Sequence, residues 1–231
     1  MLEKPLFCDR TDAGNQLAEL VFDAFNQLDT ASIAPPIVYA LPRGGLPVAV
    51  PVARRLSCPL SVILAKKISR QENPELAIGA CTAAGDVVWS PNRVVSKLNS
   101  QIRDSALQQA QQKAQAQMSQ FAPVLPEVNP EGALVILVDD GIATGMTVAV
   151  AAKALRAQKP ALLWVAAPVA PAEIHDSLCE WADCVLLLAT PDRFFSVSRF
   201  YEQFPQVEMI EALACLDDHN LWLAGLSQPP T

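Results

Sequence analysis

The sequence predicts an α/β fold: a mostly parallel, Rossmann-like sheet covered by helices on both faces. Short apolar runs of strand type alternate with stretches at helical spacing, which is the pattern of such a sheet. Two of those runs end directly on glycine-bearing turns that open helices, the place where sheets of this kind bind ligands. The 231 residues are 51% apolar and 18% charged, enough material for one large core and not a disordered composition.

The elements follow in order. Residues 11–28, TDAGNQLAELVFDAFNQL, place Leu17, Leu20, Val21, Ala24, Phe25 and Leu28 at helical spacing, with Asp9, Thr11 or Asp12 available as the cap. IVYAL (37–41) is a short strand. The turn PRGG leads into the helix LPVAVPVARRL, where Pro47 sits in the first turn and Pro51 lies deep enough to kink it. LSVILAKKI (60–68) is a second strand that ends on basic residues. SRQENPEL (69–76) is polar and rich in breakers, and predicts a loop. AIGACTAAGDVVWS (77–90) reads as two short strands around a turn at Ala84-Gly85.

Residues 93–121 predict a long helix whose Gln/Ala-rich second half is mostly solvated, and APVLPEVNPEG (122–132) is a connector. The strand ALVILV then runs into DDGIATGMT and the helix MTVAVAAKALRAQ. A strand (ALLWVAAPV), a short helix (EIHDSLCEWA) and the strand DCVLLLAT (183–190) complete the alternation. The tail PDRFFSVSRFYEQFPQVEMIEALACL is aromatic-rich and ends in a helix.

Composition removes several function classes. A formal net charge of -7 argues against a sequence-independent nucleic-acid binder. The N-terminus MLEKPLFCDR has no apolar signal region, and the longest apolar run, ALLWVAAPVA (161–170), is too short to span a bilayer. Cys8, Cys58, Cys81, Cys179, Cys184 and Cys215 form no C-x-x-C pair and have no histidine at zinc-finger spacing. They read as free, mostly buried small apolar residues of a reducing, cytoplasmic protein. His175 and His219 read as incidental surface residues.

The chemistry concentrates at the two turns. Asp139 and Asp140 follow LVILV directly. Adjacent carboxylates are costly in an interior unless hydrogen-bonded or neutralised by a metal, but at a strand end they can face a ligand. Side-chain alternation points them apart, one toward sugar hydroxyls and one toward a cation shell. GIATGMT then opens a helix whose first N–H groups are unpaired and favour an anion. Thr144 and Thr147 add hydroxyls, and Gly141 and Gly145 let backbone approach closely. A phosphate cradle beside two acids suits a phosphorylated sugar. A nucleoside-triphosphate loop would need a lysine where Met146 stands, and no G-x-G-x-x-G is present.

VILVDDGIATGMT closely resembles the phosphoribosyl diphosphate (PRPP) motif of type I phosphoribosyltransferases. The resemblance implies that Asp139 and Asp140 address the ribose hydroxyls and, through water, a Mg²⁺ ion. It implies that the backbone from Ala143 through Gly145 and Met146 to Thr147, with Thr144 and Thr147, holds the 5'-phosphate, and that Gly141 belongs to the same PRPP site. ALPRGG (40–45) looks like the diphosphate loop of the same family, with Arg43 supplying charge and Gly44 and Gly45 opening the backbone amides. LAKKI resembles the basic pair that ends the next strand, making Lys66 and Lys67 diphosphate ligands or a solvated strand end. The 69–76 segment stands where the family has its mobile catalytic loop. LPRGGLPVAVPVARRL, NPELAIGA, DDGIATGMT and FSVSRFYEQF extend the likeness, to a group of bacterial phosphoribosyltransferase-like proteins, over nearly the whole chain. QQAQQKAQAQ, where more arginine is expected, and Ser198, where glycine is usual, depart from it.

The implied organisation is one domain, residues 1–231, with a core of about 30–190. The implied hood spans about 191–216, with helix 11–28 packed nearby. The implied reaction is Mg²⁺-dependent displacement of pyrophosphate from PRPP by a small nitrogenous acceptor, with Asp139, Asp140, Arg43 and Lys67 catalytic. Glu72 or Glu75 is a proton shuttle or a surface charge. Phe194, Phe195, Phe200 or Tyr201 stack on the base or pack the hood itself. The family's 6-oxopurine enzymes carry a further aspartate at the position of Ala143, which argues against hypoxanthine or guanine. Family members are often homodimers. The alternative is a regulator that binds PRPP without catalysis.

Overall fold

A computed structural model describes residues 5–31, 33–70, 73–90 and 99–226. Five strands form a sheet: β1 (Ala34–Ala40), β2 (Leu60–Val62), β6 (Ala133–Val138), β7 (Leu162–Val169) and β8 (Cys184–Ala189). Their order is β2-β1-β6-β7-β8 and every pairing is parallel. A second, antiparallel sheet joins β3 (Ala65–Arg70), β4 (Asn73–Thr82) and β5 (Val87–Trp89). The helices are α1 (Arg10–Phe25), α2 (Gly45–Arg55), α3 (Ser100–Phe121), α4 (Met146–Arg156), α5 (His175–Trp181) and α6 (Met209–Leu226).

The strands are apolar at almost every position, with Ser61 of β2 the exception, because both faces of the parallel sheet are covered. Val38, Ala40, Leu134, Ile136 and Val138 pack with Leu17 and Val21 of α1, Leu46 and Val52 of α2 and Leu216 of α6. The alternate residues Ile37, Tyr39, Val135 and Leu137 pack with Val148 and Leu155 of α4 and Leu178 of α5. ALVILV thus serves two cores at once, and all six of its residues are buried. This is the doubly covered α/β architecture that the strand–helix alternation predicts. α1 starts where expected, with the Asp9 side chain accepting the Asp12 N–H at 2.8 Å.

Two elements differ from the sequence reading. LSVILAKKI is not one strand. The Ile63 N–H donates to Ala40 of the parallel sheet, whereas Leu64 accepts from Ala83 of the hairpin, so the chain changes sheets between these two residues. Unbroken apolar character hides the change because both halves are buried. The stretch 69–76 is also less of a loop than its polarity suggests. β3 reaches Arg70 and β4 begins at Asn73, with Ser69 opposite Ala77, Arg70 opposite Asn73 and register shifts between. Backbone pairing carries the hairpin into this polar stretch, with the register shifts marking bulges or irregularities. Residues 71–72 lie outside the described part, as does the 93–98 portion of the predicted long helix.

α3 is described from Ser100, with Asn99 capping it by accepting the Gln101 N–H at 2.8 Å. It buries only Ala106, Ala110, Ala114 and Phe121, leaving the glutamine-rich surface to solvent as expected. The cysteines are mixed: Cys58 and Cys81 are buried, Cys184 and Cys215 half-buried, Cys8 and Cys179 exposed. Among the described residues no helix is long and apolar enough to cross a membrane.

His219 corrects another expectation. It is a core residue of α6, fully buried, not a surface one. Its Nε2–H donates to the Cys58 carbonyl at 2.9 Å, while buried Nδ1 has no hydrogen-bond partner among the described residues. A second proton would place an unsatisfied N–H there, and burial accordingly holds the imidazole below its ordinary 6.5. Since the folded state disfavours the charged form, the associated stability is present above pH 6.5 and is lost as pH falls from there toward the lower folded value. We expect urea-unfolding free energy to decline below that pH with a slope of up to about 1.4 kcal/mol per pH unit from this residue. His219→Gln should flatten that part of the profile relative to the wild type. Parallel profiles for the two proteins would show that His219 contributes no linkage.

Candidate active site

The two glycine turns meet because β1 and β6 are neighbours and run the same way. The chain leaves β1 for α2 on one face of the sheet and leaves β6 for α4 on the other. Opposite exits from adjacent parallel strands open a crevice at their carboxyl ends. The pairing of Ala40 with Val138 and the Leu41 N–H bond to Val138 O at 2.9 Å bring residues 41–45 against residues 139–145.

Space forces glycine at this contact. A Cβ on Gly44 would overlap Oδ2 of Asp140, and one on Gly45 would lie 2.9 Å from the Val138 carbonyl oxygen. The Pro42–Arg43 peptide is cis. On the other side, a Cβ on Gly141 would overlap the Val197 side chain of the C-terminal segment. Gly145, at φ 70°, is the N-cap of α4 and supplies no side-chain cap. The first N–H groups of that helix are therefore free of a side-chain acceptor from their cap and offer themselves to an anion. Ala143 and Thr144 are exposed on this turn, and Met146 and Thr147 are half-buried.

The acids are held differently. Asp139 Oδ1 accepts the Asp140 N–H at 2.9 Å. Burial, then the neighbouring Asp140 carboxylate, pushes the Asp139 carboxyl well above the ordinary range. Asp140 is also raised by burial, but Arg10 opposes this, with its Nε 2.7 Å from Oδ2. Arg10 further donates to the Pro205 carbonyl at 2.7 Å and stacks 3.6 Å over the Phe204 ring. Tyr201 Oη donates to the Asp140 main-chain carbonyl at 2.6 Å.

Arg10 is the site residue that the sequence reading misses. Its partner is 130 positions away, and no local pattern distinguishes it from any other basic residue before a helix. The only sequence signal is indirect: two adjacent carboxylates at a buried strand end require a counter-charge.

The remaining candidates are distributed as follows. Arg43 lies 3.7 Å from Glu208 of the C-terminal segment. Lys66 is half-buried, and its ammonium is held below the ordinary range by burial, then by the positive charges of Arg43 and Lys113. Strand alternation sends Lys67 to the opposite face, where it is exposed. Glu72 and the side chain of Glu75 lie outside the described residues. Phe200 and Tyr201 turn inward and pack with Phe7, Phe194 and Phe204, whereas Phe195 is 75% exposed. The hood region is built from both ends of the chain: Phe7 bridges Tyr201, and Glu202 and Gln203 donate to the carbonyls of Phe7 and Cys8.

Comparison with known proteins agrees with this architecture. The family model described as "Phosphoribosyl transferase domain" matches residues 11–179. A Mycobacterium tuberculosis protein named "Putative phosphoribosyl transferase" is 35% identical over 213 residues, which is 92% of this chain and 46% of the relative. The chain thus spans about half the length of that curated relative, and the match is the same in a second strain. The crystal structure of TT1426 from Thermus thermophilus superposes with a TM-score of 0.74 at 32% identity, covering 92% of this chain and 98% of that one. With a family match across most of its length, and the acids and glycine turns at the switch point of the sheet, this chain belongs to the phosphoribosyl transferase domain family.

Proposed function

We propose that the protein transfers the 5-phosphoribosyl group of PRPP to a small nitrogenous acceptor, with release of pyrophosphate and dependence on Mg²⁺. The observation that carries this reading is the meeting of a carboxylate pair, an uncapped helix N-terminus and a glycine-rich turn bearing Arg43 in one crevice. The three parts match the three parts of PRPP: ribose, 5'-phosphate and diphosphate.

Asp139 and Asp140 would accept hydrogen bonds from the ribose hydroxyls and offset positive charge that develops on the ring. The amides and hydroxyls from Ala143 to Thr147 would fix the 5'-phosphate, so that C1 is held in place while its bond to the diphosphate breaks. Arg43 and Lys66 would receive the negative charge of the departing group. Lys67, exposed on the other face of β3, and Glu75 remain secondary candidates. Carboxylate oxygens beside a phosphate site suit Mg²⁺, which keeps much of its water and binds through one or two carboxylates plus substrate oxygens. When bound, the ion supplies charge neutralisation at the diphosphate.

Ala143 presents no carboxylate on the exposed turn, which supports an acceptor other than a 6-oxopurine. Of the aromatic candidates, Phe195 has the exposed ring, with the Arg199 guanidinium 4.7 Å from its centroid, whereas Phe200 and Tyr201 pack the hood itself. The acidic balance argues against a nucleic-acid partner, the free cysteines suit a reducing, cytoplasmic setting, and family habit supports a homodimer.

Calorimetric titration with PRPP and Mg²⁺ tests the reading. The wild type should bind. The Asp139→Asn/Asp140→Asn protein should bind at least about tenfold more weakly, since hydrogen bonds to charged groups contribute about 1.5–3 kcal/mol. A wild type that takes up no PRPP sinks the proposal. Binding without pyrophosphate release across a panel of nucleobases would favour the non-catalytic regulator.

A further inference from the structure

We infer that Arg10 is a positioning residue that couples the hood to the sugar-binding acid Asp140. The inference rests on the PRPP reading of the site.

Arg10 has every mark of a side chain held for one orientation. It is 8% exposed although it carries a full charge. Its Nε meets Asp140 Oδ2 at 2.7 Å, another nitrogen meets the Pro205 carbonyl at 2.7 Å, and its plane lies on Phe204 at 3.6 Å. A guanidinium is suited to this because its donors form a rigid fork and its face stacks on a ring. Two of the three partners belong to the C-terminal segment, and the third is the acid that faces the crevice.

Asp140 is gripped at two points. Arg10 holds its carboxylate, and Tyr201, from the same C-terminal segment, donates to its main-chain carbonyl at 2.6 Å. Gly44 lies against the held oxygen so closely that no Cβ fits. The occupied Oδ2 therefore fixes the direction of Oδ1. Seating of the segment 201–205 on the N-terminus would set the acid for ribose, and its release would leave the acid free to rotate. An acid fixed before the ligand arrives loses less freedom on binding.

The test compares PRPP titration and initial rates for the wild type, Arg10→Lys, Arg10→Gln, Asp140→Asn and the Arg10→Gln/Asp140→Asn double variant. Arg10→Gln should weaken PRPP binding by about ten- to a hundredfold, the size of a lost charge-assisted contact. Arg10→Lys should recover only part of the loss, because a point charge replaces the fork. The double variant should bind no more weakly than the weaker single one, because Arg10 acts through Asp140. Additive losses in the double variant, or Arg10→Gln binding and turning over like the wild type, would overturn the inference while leaving the PRPP reading intact. Failure of the wild type to bind PRPP would instead remove the reading and this inference with it. If Arg10→Gln does not fold, Tyr201→Phe removes the second grip with one atom. It should raise the PRPP dissociation constant severalfold in a protein that still folds, and wild-type affinity in that variant would overturn the two-point grip.

Discussion

Gly44→Ala is expected to lower PRPP affinity by about a hundredfold or more, the equivalent of two lost charge-assisted hydrogen bonds. The reason is space, not backbone conformation: Gly44 has φ -61°, which any residue adopts. A methyl group there would overlap Oδ2 of Asp140. A flexible side chain could swing aside at little cost, but this oxygen is held by Arg10 at 2.7 Å. Either Asp140 leaves Arg10, or the turn carrying Arg43 moves away from β6. On the PRPP reading, the first would disorder the acid proposed for the sugar, and the second would displace the donors proposed for the diphosphate. Calorimetric titration with PRPP and Mg²⁺ measures the effect. Gly225→Ala is the matched control, since a Cβ at Gly225 meets nothing within 4 Å. A Gly44→Ala protein that titrates like the wild type would show that the contact between the two turns is slack.

The strand, glycine turn and helix start of DDGIATGMT are legible because they are local: they follow each other directly in the chain. The doubly covered sheet was legible for a related reason: a strand such as β6, apolar at every position, has only one kind of environment that suits it. What escaped depends on partners distant in sequence. Arg10 acquires its role from Asp140, Phe204 and Pro205. His219 is buried because α6 returns to Cys58, 161 positions earlier. The break in LSVILAKKI was invisible because residues on both sides of it are buried, in different sheets. The aromatic cluster FFSVSRFY showed that rings gather in the hood, but only packing decides that Phe200 and Tyr201 turn inward and Phe195 outward.

Phe121→Ala should destabilise the fold by about 3–5 kcal/mol, the usual cost of emptying a large aromatic site in a core. The position is unusual within its helix. Ala106, Ala110 and Ala114, the other buried residues of α3, form a smooth stripe that grips little by itself. Ala106 and Ala110 pack on Ile68, Ile78 and Cys81 of the hairpin sheet, a cluster separate from the main core. Phe121, fully buried, is instead part of the main core with Leu60, Val62 and Leu64. It is thus the fully buried large side chain by which α3 joins the main core; Met118 packs on the same core partly buried, and the hairpin strands also lie against α4. Removing Phe121 should lower the melting temperature by roughly 10 °C for a chain of this length. Phe121→Leu, which keeps most of the volume, should lose markedly less. The loss should also reach function, because Lys66 sits on β3 and depends on the hairpin's attachment to stay near Arg43. Amide exchange in β3 and β4 should accelerate more than in β6, since an opening of the hairpin leaves the parallel sheet paired. Denaturant unfolding and exchange together decide it: a cost below about 1 kcal/mol would place the attachment elsewhere, well under the range for a filled aromatic site.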